Sequence, residues 1–116
     1  MLGGMDAVVR AYIDAIDPET RPLFDRVHQL VLETHPEADV VLSYKMPTYV
    51  VGRRRLHVGA WAHGISIYGW DAEHDGGFVA RHPELITSKG TIQLRRDVAA
   101  EIQDDDFRAL AHATLD

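Results

Sequence analysis

The first third of the chain repeats its apolar residues at the three- and four-residue spacing of an amphipathic helix. This spacing predicts a first helix within residues 5–16, with one face buried. The polar stretch "DPETRP" interrupts it. A second helix is predicted from about Thr20 to His35, because a proline is tolerated in a first helical turn and Pro36 opposes continuation of the helix.

From Asp39 onward the apolar pattern changes to period two, which indicates strands with one buried face. Two of these strands are predicted to form a hairpin over His63-Gly64, because glycine adopts positive φ freely. In that register Ala62 faces Ile65. The strand-like runs are "DVVLSY", "PTYVV", "RLHVGAWA", "ISIYGW" and "TIQL".

One face of the predicted hairpin is apolar, and the other face is rich in aromatic residues. In the predicted register His57 stands opposite Trp70. This second face allows three interpretations: a ligand pocket, an interface with a partner, or a surface that the C-terminal helix or the 71–88 loop covers. The residues that it collects are His57, Trp61, Tyr68 and Trp70.

The first two strands meet at a Lys-Met-Pro corner inside "VLSYKMPTYVV". A proline is acceptable at a strand start or bulge, so Met46-Pro47 is predicted to make the bend. We hypothesise that Tyr44, Lys45 and Lys89 approach one another at one sheet edge. Together with Ser88 they would form a pocket for an anion or a carboxylate. The alternative is that both lysines are solvated or pair with helix carboxylates.

The last third of the chain completes an α+β fold. A helical turn is predicted at residues 78–81, and a C-terminal helix in "DDDFRALAHATL", with Asp104 or Asp105 as its N-cap. The prediction for residues 1–116 is one domain. It has an antiparallel sheet of about five strands, with two N-terminal helices and a C-terminal helix packed mainly on one face.

Composition narrows the possible functions. The 116 residues include no cysteine, which excludes disulfides, thiolate nucleophiles and cysteine metal sites. The net charge of −6 divides into about −5, +4 and −5 for residues 1–40, 41–96 and 97–116. Acidic helices beside a basic sheet disfavour nucleic acid as a partner but allow a small anionic ligand. With no leader and no spanning segment, a cytoplasmic protein without a membrane role is expected.

Metal binding and catalysis have unequal support. The seven histidines match no compact zinc motif, and no nucleophile or phosphate-loop motif is present, so a non-enzymatic protein is predicted. His28 and His35 share the apolar side of the second helix and are interpreted as imidazoles at the edge of the core, bonded to backbone or carboxylate. Three consecutive carboxylates either bind iron weakly or cap a helix on a solvated face: Asp104, Asp105 and Asp106.

The motifs "SYKMPTY", "HGISIY" and "TSKGTIQL" resemble, in this order, those of the YdhG-like family of small intracellular domains. The resemblance spans about Asp6 to Leu115. The chain departs from the commoner pattern at Lys45, where glycine is frequent. The matching positions are Ser43, Tyr44, Met46, Pro47, Tyr49, His63, Tyr68, Lys89, Gly90, Thr91 and Ile92.

The resemblance implies an α+β fold with helices on one face of an antiparallel sheet. Some members are regarded as frataxin-like iron chaperones, which implies iron binding on the acidic surface and delivery to an iron-accepting protein. No obligatory cofactor is expected, and either a monomer or a homodimer is compatible with the sequence. The competing prediction is a module that binds a small ligand or a protein through the aromatic face of the sheet.

Overall fold

Helices cover one face of an antiparallel sheet in the computed structural model, which describes residues 5–71, 73–83, 85–88 and 91–116. The helices are α1 (Ala7–Asp14), α2 (Arg21–Thr34), α3 (Phe78–Arg81), α4 (Arg96–Ala99) and α5 (Asp104–Leu115). The strands are β1 (Asp39–Ser43), β2 (Met46–Val51), β3 (Arg54–Trp61), β4 (Gly64–Tyr68), β5 (Ile86–Ser88) and β6 (Thr91–Arg95). Their order in the sheet is β1-β2-β3-β4-β6-β5, with antiparallel neighbours. The α+β class is confirmed.

The finer details depart from the prediction at the shortest elements. Five strands have five to eight residues, and β5 adds a three-residue edge strand. Three residues are too few for a period of two to be visible in sequence. The single turn α4 lies in a segment for which the sequence pattern predicted no helix or strand. Helix α5 starts at Asp104 with Gln103 as its N-cap, so the three aspartates occupy its first turn instead of capping it.

The core lies between the sheet and the helices. Every helix contributes to it, through Val9, Phe24, Phe78, Ala99 and Phe107 among others. The strands contribute alternate residues, namely Val40, Tyr49, Leu56, Val58, Ile65, Ile67, Ile92 and Leu94. The helices therefore pack on one face. The opposite face, called the outer face below, is defined by the residues that alternate with these, namely Thr48, His57, Gly59, Ser66 and Tyr68.

The turn between β1 and β2 lies one step earlier than the sequence predicted. Ser43 pairs with Met46, so Tyr44 and Lys45 form the turn, and the Met-Pro pair belongs to β2. Both turn residues have positive φ, 52° and 62°. This two-residue hairpin conformation usually takes asparagine and glycine. A larger side chain in the left-handed region costs on the order of 1 kcal/mol or more per residue, so this turn stores strain.

Pro47 has a different role from the one predicted. It pairs with Leu42 of β1, while the β2–β3 ladder ends one residue later, at Thr48 and His57. A proline has no N–H to donate to a ladder, which accounts for this end. Farther along β3, the amide of Ala60 donates a 2.9 Å hydrogen bond to the hydroxyl of Tyr12 in α1.

The β3–β4 hairpin also differs in register. Trp61 pairs with Gly64, so the turn is Ala62-His63 and the pairing is shifted by one position on each strand. His57 consequently faces Tyr68, where Trp70 was predicted. Glycine is needed at position 64 for another reason than φ, since its Cα lies against the carbonyl of Leu94 in β6, and a Cβ would collide with that backbone.

One polar pair is buried between α2 and the sheet. The Tyr49 hydroxyl lies 2.7 Å from Nδ1 of His28, and the Tyr49 side chain is fully buried. Burial, and then the charge of Asp25, raises the pKa of Tyr49, so its hydroxyl keeps its proton. Burial also lowers the pKa of His28, an effect that Asp25 opposes. Folding therefore favours the neutral form of the His28 imidazole.

Acidification should destabilise the fold through this pair. Because the folded-state pKa of His28 lies below its ordinary 6.5, the unfolded chain binds the proton more readily. The contribution of this pair to the free energy of unfolding is fully present above about pH 6.5 and decreases as the pH drops below that value. Urea unfolding between pH 8 and pH 5 measures this decline, and His28→Asn should make it shallower. An unchanged pH profile in that variant would contradict the assignment.

Candidate functional site

The three aspartates at the start of α5 have separate partners. Asp104 lies 2.7 Å from Nε of Arg26, Asp105 lies 2.7 Å from Arg108, and Asp106 lies 2.9 Å from Arg81. Asp106 also lies 2.8 Å from His82. Each carboxylate thus has its own cation, in α2, α5 or α3. Because each carboxylate pairs with a different cation, this arrangement gives no support to the iron-binding role predicted for these residues.

Two imidazoles and a carboxylate do converge where α2 and α5 end. Nε2 of His35 lies 2.6 Å from a carboxylate oxygen of Asp116, and Nδ1 of His112 lies 3.2 Å from the other oxygen. The two rings are 5.2 Å apart between centroids. One ligand atom of each residue lies within 4.8 Å of the other two. We refer to His35, His112 and Asp116 as the triad.

The local sequence explains how the triad forms. His35 is the C-cap of α2, directly before Pro36, and it is 5% exposed. Asp116 is the C-cap of α5, four residues after His112, so both lie on the same side of that helix. Helices α2 and α5 lie side by side, linked by the pairs Arg26–Asp104 and Glu33–Arg108.

A neighbouring hydroxyl fixes the orientation of His35. Thr34 donates its hydroxyl proton to the carbonyl of Val31 at 2.9 Å. Its oxygen also lies 2.8 Å from Nδ1 of His35, so that ring nitrogen is turned away from Asp116. Nε2 of His35 faces a carboxylate oxygen of Asp116 at 2.6 Å, a distance at which a proton or a metal cation lies between the two atoms.

The electrostatics of this corner favour a cation. The C-terminal ends of α2 and α5 meet there, and each carries partial negative charge from its last carbonyls. Asp116 adds a full charge, because hydrogen bonds from His35 and then His112 lower the pKa of its carboxyl. His112 and Asp116 are exposed, whereas His35 is buried, so the triad is open to solvent on one side.

The triad is close to the dimensions of a metal site. Nitrogen and oxygen ligands held at about 2.1 Å from one ion stand roughly 3.0–3.4 Å apart. The His112–Asp116 distance of 3.2 Å already fits, and the His35–Asp116 distance of 2.6 Å has to open by a few tenths of an ångström. Thr34 supplies the outer hydrogen bond that metal-binding histidines normally have.

On the outer face, the structure brings together part of the predicted aromatic set. The Tyr44 ring contacts the edge of His57 at 5.5 Å between centroids, and His57 pairs across the strands with Tyr68. Nδ1 of His57 lies 2.7 Å from the hydroxyl of Thr48. Burial, followed by the charge of Arg55, lowers the pKa of His57.

Two predicted members of that set lie elsewhere. Trp61, at the end of β3, lines a groove of about 320 Å³ with Tyr12 and Ile16 of α1. Its Nε1 is buried and has no hydrogen-bond partner among the residues described. Gly69, with φ 99°, ends the alternation after β4, so Trp70 packs on the core and donates to the carbonyl of Ile67.

The predicted lysine pocket does not assemble. Tyr44 and Lys45 lie in the turn at the β1 edge of the sheet, whereas Ser88 lies in β5 at the opposite edge. Four sheet neighbours separate β1 from β5, because β6 pairs with β4 and leaves β5 outermost. Lys89 lies outside the described residues.

The triad was not identified from sequence. His35 was interpreted as an imidazole bonded at the edge of the core, and it does bond a carboxylate, but His112 and Asp116 carried no prediction. His35 and Asp116 are 81 positions apart, and no motif spacing joins them. The available signal was the i, i+4 pair of His112 and Asp116 at the end of a helix, which is common without a metal.

Comparison of the chain with protein-family models, with curated proteins and with solved structures gives no match. Among the described residues, the helices are too short or too polar to span a membrane.

Proposed function

We propose that this domain binds a divalent transition metal, with iron(II) as the leading candidate, through His35, His112 and Asp116. The observation that carries the proposal is the orientation of His35. Thr34 contacts its Nδ1, so its Nε2 faces the carboxylate of Asp116 at 2.6 Å, and Nδ1 of His112 lies 3.2 Å from the other carboxylate oxygen. A metal ion bound by these three groups would replace the imidazole–carboxylate hydrogen bonds by coordinate bonds.

The donor set supports this choice of metal. Two imidazoles and one carboxylate on one side of an ion, with open positions opposite, are the ligands of many non-haem iron(II) sites. Zinc accepts the same donors, so it is the natural competitor. Calcium and magnesium prefer oxygen ligands and would bind poorly to a site with two imidazole nitrogens.

The proposed role is binding and delivery of iron by a non-enzymatic protein. Three protein ligands, two of them exposed, leave coordination positions for water or for a ligand of an acceptor protein. An ion held in this way can pass to an acceptor by ligand exchange. The resemblance to the YdhG-like family, some of whose members are regarded as iron chaperones, supports the same role.

Metal titration tests this function. Native mass spectrometry and calorimetry, run without oxygen, should give one Fe²⁺ per chain with a dissociation constant in the micromolar range or below. Bound metal should also raise the melting temperature, because it binds the folded state only. Mg²⁺ and Ca²⁺ at the same concentration should do neither.

Two results would refute the proposal. One is the absence of a saturable one-to-one complex with Fe²⁺ or Zn²⁺. The other is a complex that Asp105→Asn weakens as much as Asp116→Asn does. Asp105 serves as the matched control because it is an exposed carboxylate of the same helix, paired with an arginine within that helix.

A further inference from the structure

The β1–β2 turn keeps two large side chains in a conformation that favours glycine. Tyr44 and Lys45 have φ values of 52° and 62°. Tyr44 is 80% exposed, the most exposed of the large hydrophobic side chains described, so burial does not repay the strain. Strained residues in an exposed turn often mark a place of contact with a ligand.

The turn stands over a histidine with one unused nitrogen. His57 is 8% exposed, and its Nδ1 is taken by Thr48 at 2.7 Å. Its Nε2 has no hydrogen-bond partner in the described part of the chain. The ring of Tyr44 meets the imidazole edge-on, 74° from coplanar, and Tyr68 flanks His57 on the next strand. Aromatic rings thus border Nε2 of His57 and restrict its contact with water.

Positive charge without an ion partner among the described residues lies on either side of His57 along the sheet. Lys45 in the turn and Arg55 on β3 are exposed, and neither has an ion pair with a described residue. Arg55 precedes His57 by two positions, so both side chains lie on the outer face. The arginines of α2 and α5 differ, because Arg21, Arg26 and Arg108 all pair with carboxylates.

We propose that the outer face around His57 binds a small anionic ligand that carries an aromatic ring, of the mononucleotide class. The ring would stack against Tyr44, and the anionic group would contact Lys45, the next residue of the same turn. The Nε2 atom of His57 would hydrogen-bond the ligand beneath the ring. This site is separate from the triad, which lies among the helices on the opposite face of the sheet.

The charge distribution favours a small ligand over a polymer. The whole chain carries a net charge of −6, which repels a long polyanion at a distance. Two local cations still attract a single anionic group, whose charge is countered on contact. Stacking provides the remaining affinity, since an aromatic side chain contributes measurably to the binding of a base.

Adenosine monophosphate is a suitable probe, with adenosine and inorganic phosphate as its two halves. Calorimetry of the full chain should give a dissociation constant below about 1 mM for the nucleotide and weaker binding for each half. Tyr44→Ala should weaken binding at least about fivefold. Lys45→Gly should weaken it to a similar degree and at the same time raise the melting temperature, because it relieves the positive φ.

The matched control is Arg10→Ala, which removes an exposed cation of α1, on the helix-covered face of the sheet. It should leave the affinity unchanged within about twofold. Equal losses in Arg10→Ala and Lys45→Gly, or no saturable binding of the nucleotide, would overturn the proposal. So would tighter binding of a single-stranded oligonucleotide than of the nucleotide. Metal binding at the triad should be the same in all these variants, which separates the two sites.

Discussion

Replacement of Gly64 by alanine is expected to destabilise the protein by about 3 kcal/mol or more. Gly64 begins β4 and pairs with Trp61 of β3 and Arg95 of β6. A Cβ there would collide with the carbonyl of Leu94, which is backbone and cannot rotate away. Strands β4 and β6 would have to separate, and the core residues that they carry would lose contacts. Urea unfolding measures the change in the free energy of unfolding. In thermal unfolding the melting temperature should fall by on the order of 10 °C.

Gly59 provides the control in the neighbouring strand. A Cβ at this position would meet Sδ of Met46 at 3.5 Å, an ordinary van der Waals distance. Gly59→Ala should therefore change the free energy of unfolding by no more than about 0.5 kcal/mol. If both alanine variants were equally stable, the register of β4 against β6 would be incorrect.

His112→Ala is expected to reduce the affinity for Fe²⁺ at least about 100-fold, since it removes a direct ligand. The fold should be little affected, because His112 is exposed and lies in the last turn of α5. Calorimetry without oxygen gives the affinity, and urea unfolding gives the stability. Loss of metal binding at unchanged stability distinguishes a ligand from a structural residue.

His74→Ala is the matched control for this variant. His74 is also an exposed histidine beside an aspartate, 2.9 Å from Asp71, but no second imidazole joins that pair in the described residues. Its replacement should leave Fe²⁺ binding unchanged. A comparable loss of affinity in both variants would indicate scattered binding by surface histidines and would count against the triad.

The sequence predicted the elements that repeat a pattern. The two N-terminal helices, the five longer strands and the core-facing side of β3 and β4 follow from periodicity, because burial of one face imposes a period of 3.6 or 2. The register of the strand pairs was harder to predict from the sequence. Glycine at position 64 was interpreted through its φ, whereas the requirement comes from the carbonyl of Leu94 in a strand 30 positions later.

The candidate sites were harder to predict, since each depends on contacts between distant segments. Tyr44, Lys45 and Ser88 were predicted to share one sheet edge, but the strand order places the turn of Tyr44 and Lys45 at the edge opposite to Ser88. The carboxylates of Asp104–Asp106 were visible as a run, whereas their partners Arg26 and Arg81 are not neighbours in sequence. The triad depends on α2 and α5 ending side by side, which no local pattern encodes.

The most direct test of iron binding by the triad is NMR of the imidazole nitrogens during anaerobic addition of Fe²⁺ to ¹⁵N-labelled protein. The paramagnetic ion should broaden the signals of His35 and His112 first, at less than one equivalent, while the signals of His63, in the β3–β4 turn, and of the amides of Asp104–Asp106 stay sharp. Helix α5 separates those amides from its C-terminal end by roughly 15 Å. Broadening that begins at Asp104–Asp106, or that leaves His35 and His112 unchanged, would contradict the account.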